Sequence, residues 1–277
     1  MQNSMLSVEH VKHYSEDGFL HVESVLPLDL TANVQEEITA LFDAPVKETV
    51  PINEPMVVCW RHRPDGNRSI FPLSAAPHIA SILARTRLID ICAKLARANF
   101  LQLFEVVIFN KPAGLGEAFA WHNDASFYPF DPANHVSAWI AIDESAEETG
   151  ALHFLRGSQR IKNVGPVNIK TGESLLQGVM PNPVLSHPVA KGFEVKRVDM
   201  RPGDAVIFDG YTLHCSPPNR SQTSDRRGMS FRFLTNPAKF APGKGKSAPF
   251  VRQISERPGE VVSNPCFPVL YREEPTV

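Results

Sequence analysis

Short apolar runs between residues 100 and 235 constrain the fold of this chain more than any other feature of its sequence. They are rich in β-branched and aromatic residues, and Gly, Pro, Asn or Asp bounds them: "FLQLFEVVIFNKP", "VSAWIAID", "GALHFLRG", "DAVIFDG" and "RGMSFRFLT". This spacing is typical of an antiparallel sandwich or barrel and not of repeated βαβ units. The sequence therefore predicts a mainly β core with flanking helices over about residues 100–236.

Amphipathic helical patterns precede this core. Residues 7–16 predict a first helix followed by a short strand, and residues 77–99 predict a helical stretch broken near Thr86. Between them lies a second helix with one apolar stripe, made by Leu30, Val34, Ile38 and Leu41. We therefore expect a single domain over residues 1–277, with a helical part (about 1–99), the β core and a C-terminal extension (237–277).

The composition narrows the classes of partner. A formal net charge of −2 without a long basic run argues against nucleic acid and against anionic membranes, so a small-molecule substrate is expected. No stretch approaches the roughly 18 to 20 apolar residues that a membrane span needs, and a cytoplasmic location is the default expectation. The four cysteines lack CxxC spacing and are predicted to be reduced thiols. The sequence does not determine the oligomeric state, and a homodimer is one possibility.

The segment "FAWHNDASFY" places an imidazole and a carboxylate two positions apart. If His122 and Asp124 lie on one strand, their side chains share a face and are two candidate metal ligands. The alternative is a buried core histidine beside a turn aspartate. A third candidate is His214, expected at the end of the strand in "GDAVIFDGYTLHC". Two histidines and one carboxylate suit Fe(II), because three coordination positions stay open.

Three blocks of the chain resemble, in order and spacing, the core of the phytanoyl-CoA dioxygenase family: "NKPAGLGEAFAWHNDASFY", "VSAWIAIDESAEETGALHFLRGSQR" and "MRPGDAVIFDGYTLHCSPPNRSQTSDRRGMSFRF". The resemblance implies a double-stranded β-helix, a jelly roll like that of cupins. It also implies a non-haem dioxygenase that uses Fe(II), 2-oxoglutarate and O2, with ascorbate expected as the reductant in vitro. On this basis His122, Asp124 and His214 are the implied iron ligands and catalytic residues.

The same resemblance implies a basic residue, on the strand after His214, for the distal carboxylate of 2-oxoglutarate. Along the predicted strand, one face carries Arg226, Gly228, Ser230 and Arg232, and the other carries Arg227, Met229, Phe231 and Phe233. Small residues beside an arginine leave room for a dicarboxylate, so we predict that Arg226 and Ser230 bind 2-oxoglutarate. A bulge before the strand would shift the register and transfer the role to Arg227.

Aromatic residues near the predicted triad are the candidate substrate contacts, with ordinary core packing as the alternative: Trp60, Phe119, Phe127, Tyr128 and Tyr211. The nearby Arg61, His62 and Arg63 are candidates for a substrate anion or for a solvated loop. Residues 162–200 are rich in Gly, Pro and Asn and predict a mobile lid.

The expected reaction is hydroxylation or a related C–H oxidation of a small, biosynthetic substrate, with release of succinate and CO2. A cupin-like metal-binding isomerase, or another metalloprotein that is not an oxygenase, is the rival interpretation. Such a protein would bind a metal ion without turning over 2-oxoglutarate.

Overall fold

Two opposed β-sheets form the centre of the computed structural model, which describes residues 6–46, 48–60, 68–162, 164–178, 180–242 and 249–273. The strands are β1 (Phe19–Val22), β2 (Met56–Trp60), β3 (Arg68–Pro72), β4 (Phe100–Lys111), β5 (Phe119–His122), β6 (Phe130–Asp131), β7 (His135–Ala141), β8 (Leu152–Leu155), β9 (Val195–Val198), β10 (Ala205–Asp209), β11 (His214–Ser216), β12 (Arg226–Leu234), β13 (Lys239–Phe240) and β14 (Val269–Arg272). The larger sheet has the order β1-β10-β7-β12-β4-β2-β3, with β14 also paired to β4. The smaller sheet has the order β5-β11-β8-β9, and β13 pairs with β6.

The helices predicted from the sequence are present. They are α1 (Val8–Asp17), α2 (Leu28–Asp43), α3 (Pro77–Arg85) and α4 (Leu88–Ala96), with a short α5 (Pro183–Ser186) in the later loop. The break near Thr86 is confirmed, because Thr86 is extended between α3 and α4. No helix within the described ranges is both long enough and apolar enough to cross a membrane.

Capping explains the bounds of α1. The side chain of Ser7 accepts a hydrogen bond from the backbone N–H of His10 and the ring of His10 pairs with the N–H of Ser7, which makes a capping box. The helix ends at Gly18, whose φ of 86° lies in the left-handed region. A Cβ at this position would lie within 2.6 Å of Thr212 Oγ1. Gly18 therefore allows the chain to turn directly into β1.

The part of the chain expected to be helical also contributes β1, β2 and β3 to the larger sheet. The strand β2, "MVVCW", is buried on both faces and pairs in parallel with β4, so it shows an apolar run instead of an alternating pattern. The C-terminal extension likewise contributes β14. Both flanking regions are thus integral to the β core.

Alternation along β12 separates a helix-facing side from a cleft-facing side. The outward residues Met229, Phe231 and Phe233 pack in one cluster with Leu30 and Val34 of α2. The inward residues of β12 face the smaller sheet, as the period of two predicts. In the pairing of β12 with β4, Arg226 lies opposite Lys111, Ser230 opposite Val107 and Arg232 opposite Glu105. The irregularity in this pairing lies between Arg232 and Phe233, beyond the site and not before Arg226.

Candidate active site

Two histidines meet across neighbouring strands of the smaller sheet. His122 is the last residue of β5 and His214 is the first residue of β11, and the two are direct partners in the antiparallel register. Their ring centroids are 4.3 Å apart. The expectation that His214 ends a strand is wrong, because β10 ends at Asp209 and a turn leads to a new strand that begins at His214. Cross-strand pairing is what brings the two imidazoles together.

Asp124 joins the pair by a different route from the predicted one. It lies beyond the end of β5, with helical dihedral angles, at the start of a 3-10 turn. The side-by-side placement on one strand is therefore wrong, and a change of chain direction brings the carboxylate to the histidines. Oδ1 of Asp124 lies 4.0 Å from Nε2 of His122 and 3.9 Å from Nε2 of His214. The three side chains are buried and can offer one ligand atom each, all within 4.8 Å of one another.

Each of the two histidines presents Nε2 to this space. In His122, Nδ1 pairs with the carbonyl of Ala120 at 2.7 Å, and in His214 it pairs with the carbonyl of Thr212 at 3.0 Å. A carbonyl only accepts, so Nδ1 carries the proton and Nε2 keeps its lone pair. Burial, followed by the neighbouring His214, lowers the pKa of His122 to about 3, and burial also lowers the pKa of His214. Both rings are therefore neutral at pH 7 and suited to bind a cation.

Asp124 is held as an anion by a buried arginine. Burial by itself raises the pKa of Asp124, but Arg232, followed by His214 and His122, keeps it below its ordinary value. Arg232 donates from Nε to Oδ2 at 3.0 Å, and Ser137 Oγ donates to the same oxygen at 3.1 Å. With Oδ2 engaged in this way, Oδ1 is the atom directed at the two histidines. The sequence placed Arg232 on the correct face of β12 but indicated no role for it.

A cleft of about 390 Å³ lies between the two sheets, and the three candidate ligands line it. Four of the five predicted aromatic contacts line it, namely Trp60, Phe119, Phe127 and Tyr128. Tyr211 is not part of the cleft wall, because the turn between β10 and β11 carries its ring to a position under Lys162, whose Nζ lies 3.6 Å from the ring centroid. Arg61, His62 and Arg63 lie outside the described residues. Residues 167–170 and Leu175, from the predicted lid, also line the cleft.

Two buried basic side chains converge at one end of the cleft. Arg226 donates from Nη2 to Ser216 Oγ at 2.6 Å, and Lys111 donates from Nζ to the same oxygen at 2.6 Å. Neither of these two side chains forms an ion pair with a carboxylate among the described residues. Nε of Arg226 and Oγ of Ser230 are both buried without a hydrogen-bond partner in this part of the chain. Burial, followed by Arg226, lowers the pKa of Lys111 to about 6. The sequence analysis did not select Lys111, although its place beside Asn110 and Pro112 in the "NKP" block was visible.

Trp139 closes this end of the cleft against Arg226. The guanidinium carbon of Arg226 lies 5.2 Å from the centroid of the indole ring. A Cβ on Gly228 would lie 1.8 Å from Cζ2 of Trp139, so only glycine leaves space for the ring. Gly228 on β12 therefore makes room for the indole ring of Trp139 in the cleft wall.

Arg227 is directed to the opposite face of β12. It donates from Nε to Oδ2 of Asp143 at 2.7 Å and from Nη2 to Oδ1 at 2.8 Å. A further hydrogen bond from Nη1 reaches Thr39 of α2 at 2.7 Å. These contacts attach the larger sheet to α2 and leave Arg227 remote from the cleft.

A comparison with family models gives one match over most of the chain. The model described as "Phytanoyl-CoA dioxygenase (PhyH)" matches residues 14–228. Among characterised relatives, the methylphosphonate hydroxylase of Gimesia maris is 24% identical over 230 residues, which cover 81% of this chain and 79% of that protein. The peroxisomal phytanoyl-CoA dioxygenase of Rattus norvegicus is 24% identical over 262 residues, covering 89% and 74% of the two chains.

Solved structures show the same architecture. The epimerase SnoN, crystallised with Fe3+, alpha ketoglutarate and nogalamycin RO, aligns with a TM-score of 0.70 and 20% identity over 95% of this chain and 97% of its own. The carbocyclase SnoK from nogalamycin biosynthesis aligns with a TM-score of 0.69 and 21% identity, covering 95% and 96%. The likeness confirms the jelly-roll fold that the resemblance implied.

Proposed function

This chain belongs to the phytanoyl-CoA dioxygenase family of Fe(II)- and 2-oxoglutarate-dependent dioxygenases, and on that premise we propose that it oxidises a C–H bond of a small biosynthetic molecule. Hydroxylation or a related C–H oxidation is the proposed outcome, with release of succinate and CO2. Family membership does not select the substrate, because the relatives carry names for substrates as different as methylphosphonate and phytanoyl-CoA.

One observation carries the proposal. A buried basic pocket lies in the same cleft as the three candidate ligands, and two of its polar atoms, Arg226 Nε and Ser230 Oγ, have no partner among the described residues. Buried polar groups are nearly always hydrogen-bonded, so an unpartnered pair indicates a ligand. A carboxylate accepts from both donors and neutralises the arginine. The distal carboxylate of 2-oxoglutarate fits this pocket.

The residues of the site have separable roles. Nε2 of His122, Nε2 of His214 and Oδ1 of Asp124 would hold Fe(II), with donors that suit this metal. When bound, Fe(II) and 2-oxoglutarate supply the oxidative decarboxylation that drives C–H oxidation. Arg226 and Ser230 would orient the cosubstrate, and the aromatic wall would seat the substrate and exclude water. Because Asp124 supplies a carboxylate ligand, no position is left for a halide in its place, and halogenation is not expected.

The test is a screen for succinate release. The purified protein, with Fe(II), ascorbate, 2-oxoglutarate and O2, is assayed against a panel of metabolites. Succinate formed in a substrate-dependent manner, with a product heavier by one oxygen or lighter by two hydrogens, supports the proposal. Metal binding without binding or turnover of 2-oxoglutarate would instead support the cupin-like isomerase or another non-oxygenase metalloprotein.

A further inference from the structure

A buried carboxylate lines the cleft at the Arg232 end of β12, away from Arg226. Glu105 is on β4, directly opposite Arg232 of β12, and lines the cleft although it is only 5% exposed. Its Oε2 accepts a hydrogen bond from Arg232 Nη1 at 2.8 Å and another from Tyr128 Oη at 3.0 Å. Both donors reach the same oxygen, so the carboxylate is fixed in one orientation.

The second oxygen of Glu105 has a different environment. No donor among the described residues bonds to Oε1, and this oxygen is not sealed from the cleft. A buried carboxylate oxygen without a donor carries a desolvation cost that a bound donor removes. By this criterion, Oε1 is an acceptor that the protein leaves open toward the cleft.

Glu105 is oriented to act as an acceptor. The pKa of Glu105 is raised, because burial outweighs the charge of Arg232 and the hydrogen bond from Tyr128, which both lower it. Two donors on Oε2, one of them a guanidinium, favour the ionised form. In the ionised form the carboxylate has no proton to donate, so Oε1 is an acceptor.

The position of Glu105 connects it to the reacting centre. Arg232 binds Asp124 through Nε and Glu105 through Nη1, so one guanidinium links the carboxylate of Asp124 to the carboxylate of Glu105. Much of the nearby wall is apolar or aromatic, with Val107, Phe109 and Phe127 among its members. In a largely apolar cleft, a few placed polar groups fix the orientation of the ligand.

We propose that Oε1 of Glu105 accepts a hydrogen bond from an N–H or O–H group of the substrate and thereby sets which carbon faces the metal. The substrate class is then a small molecule with an apolar or aromatic body and a donor group close to the carbon that is oxidised. This inference rests on the proposed function for its meaning in catalysis. The recognition of a donor by Glu105 can nevertheless be measured without turnover.

The experiment compares two bicyclic probes of nearly equal shape, indole and indene, of which only indole has an N–H donor. Dissociation constants are measured by ligand-observed NMR on the anaerobic protein loaded with Fe(II) and 2-oxoglutarate. In the wild type, indole should bind more tightly than indene by about tenfold or more, the range of one hydrogen bond to a charged acceptor. In Glu105→Gln this preference should be lost, because Arg232 and Tyr128 retain the amide oxygen and turn the NH2 group toward the cleft.

Two further variants make the result specific. Glu105→Leu removes the acceptor altogether and should likewise bind indole and indene equally. Glu23→Gln changes an exposed glutamate outside the cleft and should keep the wild-type preference. Equal binding of the probes by the wild type, or binding of neither at millimolar concentration, overturns the inference. Binding of 2-oxoglutarate is measured in the same samples, so failure of the proposed function is seen separately from failure of donor recognition.

Discussion

Arg232 donates two hydrogen bonds to the carboxylate of Asp124, from Nε to Oδ2 at 3.0 Å and from Nη2 to Oδ1 at 3.3 Å. A partner of this kind fixes the orientation of a ligand before any metal binds. The same guanidinium also binds Glu105, so one residue positions both a candidate metal ligand and a second carboxylate that lines the cleft.

Replacement of Arg232 by Met should weaken Fe(II) binding by about 10- to 100-fold, the usual effect of losing such a partner. It should also lower the free energy of unfolding by about 3 to 5 kcal/mol, because two buried carboxylates lose their cation. Metal titration by calorimetry and chemical denaturation measure the two effects. Arg227→Met is the matched control: it loses the contact with Asp143 on the helix-facing side and should reduce stability without changing metal affinity. Equal metal affinity in both variants and the wild type would contradict the positioning role.

Alanine in place of His122, Asp124 or His214 should abolish activity and remove the rise in melting temperature that Fe(II) produces. The fold should persist, because the three residues lie at a strand end, a turn and a strand start and not in the helix-packed core. Differential scanning fluorimetry with and without Fe(II) checks metal binding, and circular dichroism checks the fold. Full activity of Asp124→Ala would refute the assignment.

Arg226→Ala should raise the KM for 2-oxoglutarate steeply. The loss of the buried pair between the arginine and the distal carboxylate should cost about 2 to 5 kcal/mol of binding free energy. Arg227→Ala should leave this KM near the wild-type value and mainly reduce stability, because Arg227 binds Asp143 and Thr39. Steady-state kinetics with 2-oxoglutarate as the varied substrate separates the two arginines. A large KM effect from Arg227→Ala alone would show that the wrong arginine has been chosen.

Lys111 should make the binding of 2-oxoglutarate dependent on pH. Burial and Arg226 lower its pKa to about 6, so the ligand-free enzyme holds the amine neutral at pH 7.5. A bound carboxylate favours the ammonium form, so binding should take up a proton, and the affinity should fall as pH rises above about 6. Calorimetry at pH 7.5 in two buffers of different ionisation enthalpy measures this uptake, and Lys111→Met should abolish it. Identical binding heats for the wild type in both buffers would count against the linkage.

Residues 162–200 should show little protection from hydrogen exchange in the ligand-free enzyme and more protection when 2-oxoglutarate and substrate are bound. Part of this segment lines the cleft, at residues 167–170 and Leu175, and regular structure is short there. Mass spectrometry of exchange in the two states provides the measurement. Strong, uniform protection without ligand would exclude a lid.

The sequence by itself determined the features that depend on residues close together in the chain, such as the alternating faces of a strand and the apolar stripe of a helix. Alternation along β12 separated Arg226 from Arg227 correctly, because side chains on a strand change face at each residue whatever the strand packs against. The helical stripe of α2 and the break at Thr86 followed for the same local reason. The resemblance of whole blocks to one family then identified the fold class and indicated three candidate ligand residues, which the structure brings together.

The pairing of distant segments was decided only by the tertiary structure. His122 and Asp124 were selected as a pair, but a turn after β5 unites them and not the strand geometry expected from their spacing. The contact between Glu105 and Arg232 joins residues 127 positions apart and depends on the register of β4 against β12. The alternation of side chains along a strand predicts which face a residue occupies. It does not predict the residue opposite it on the next strand, because a shift in register between two strands leaves the sequence pattern of each unchanged.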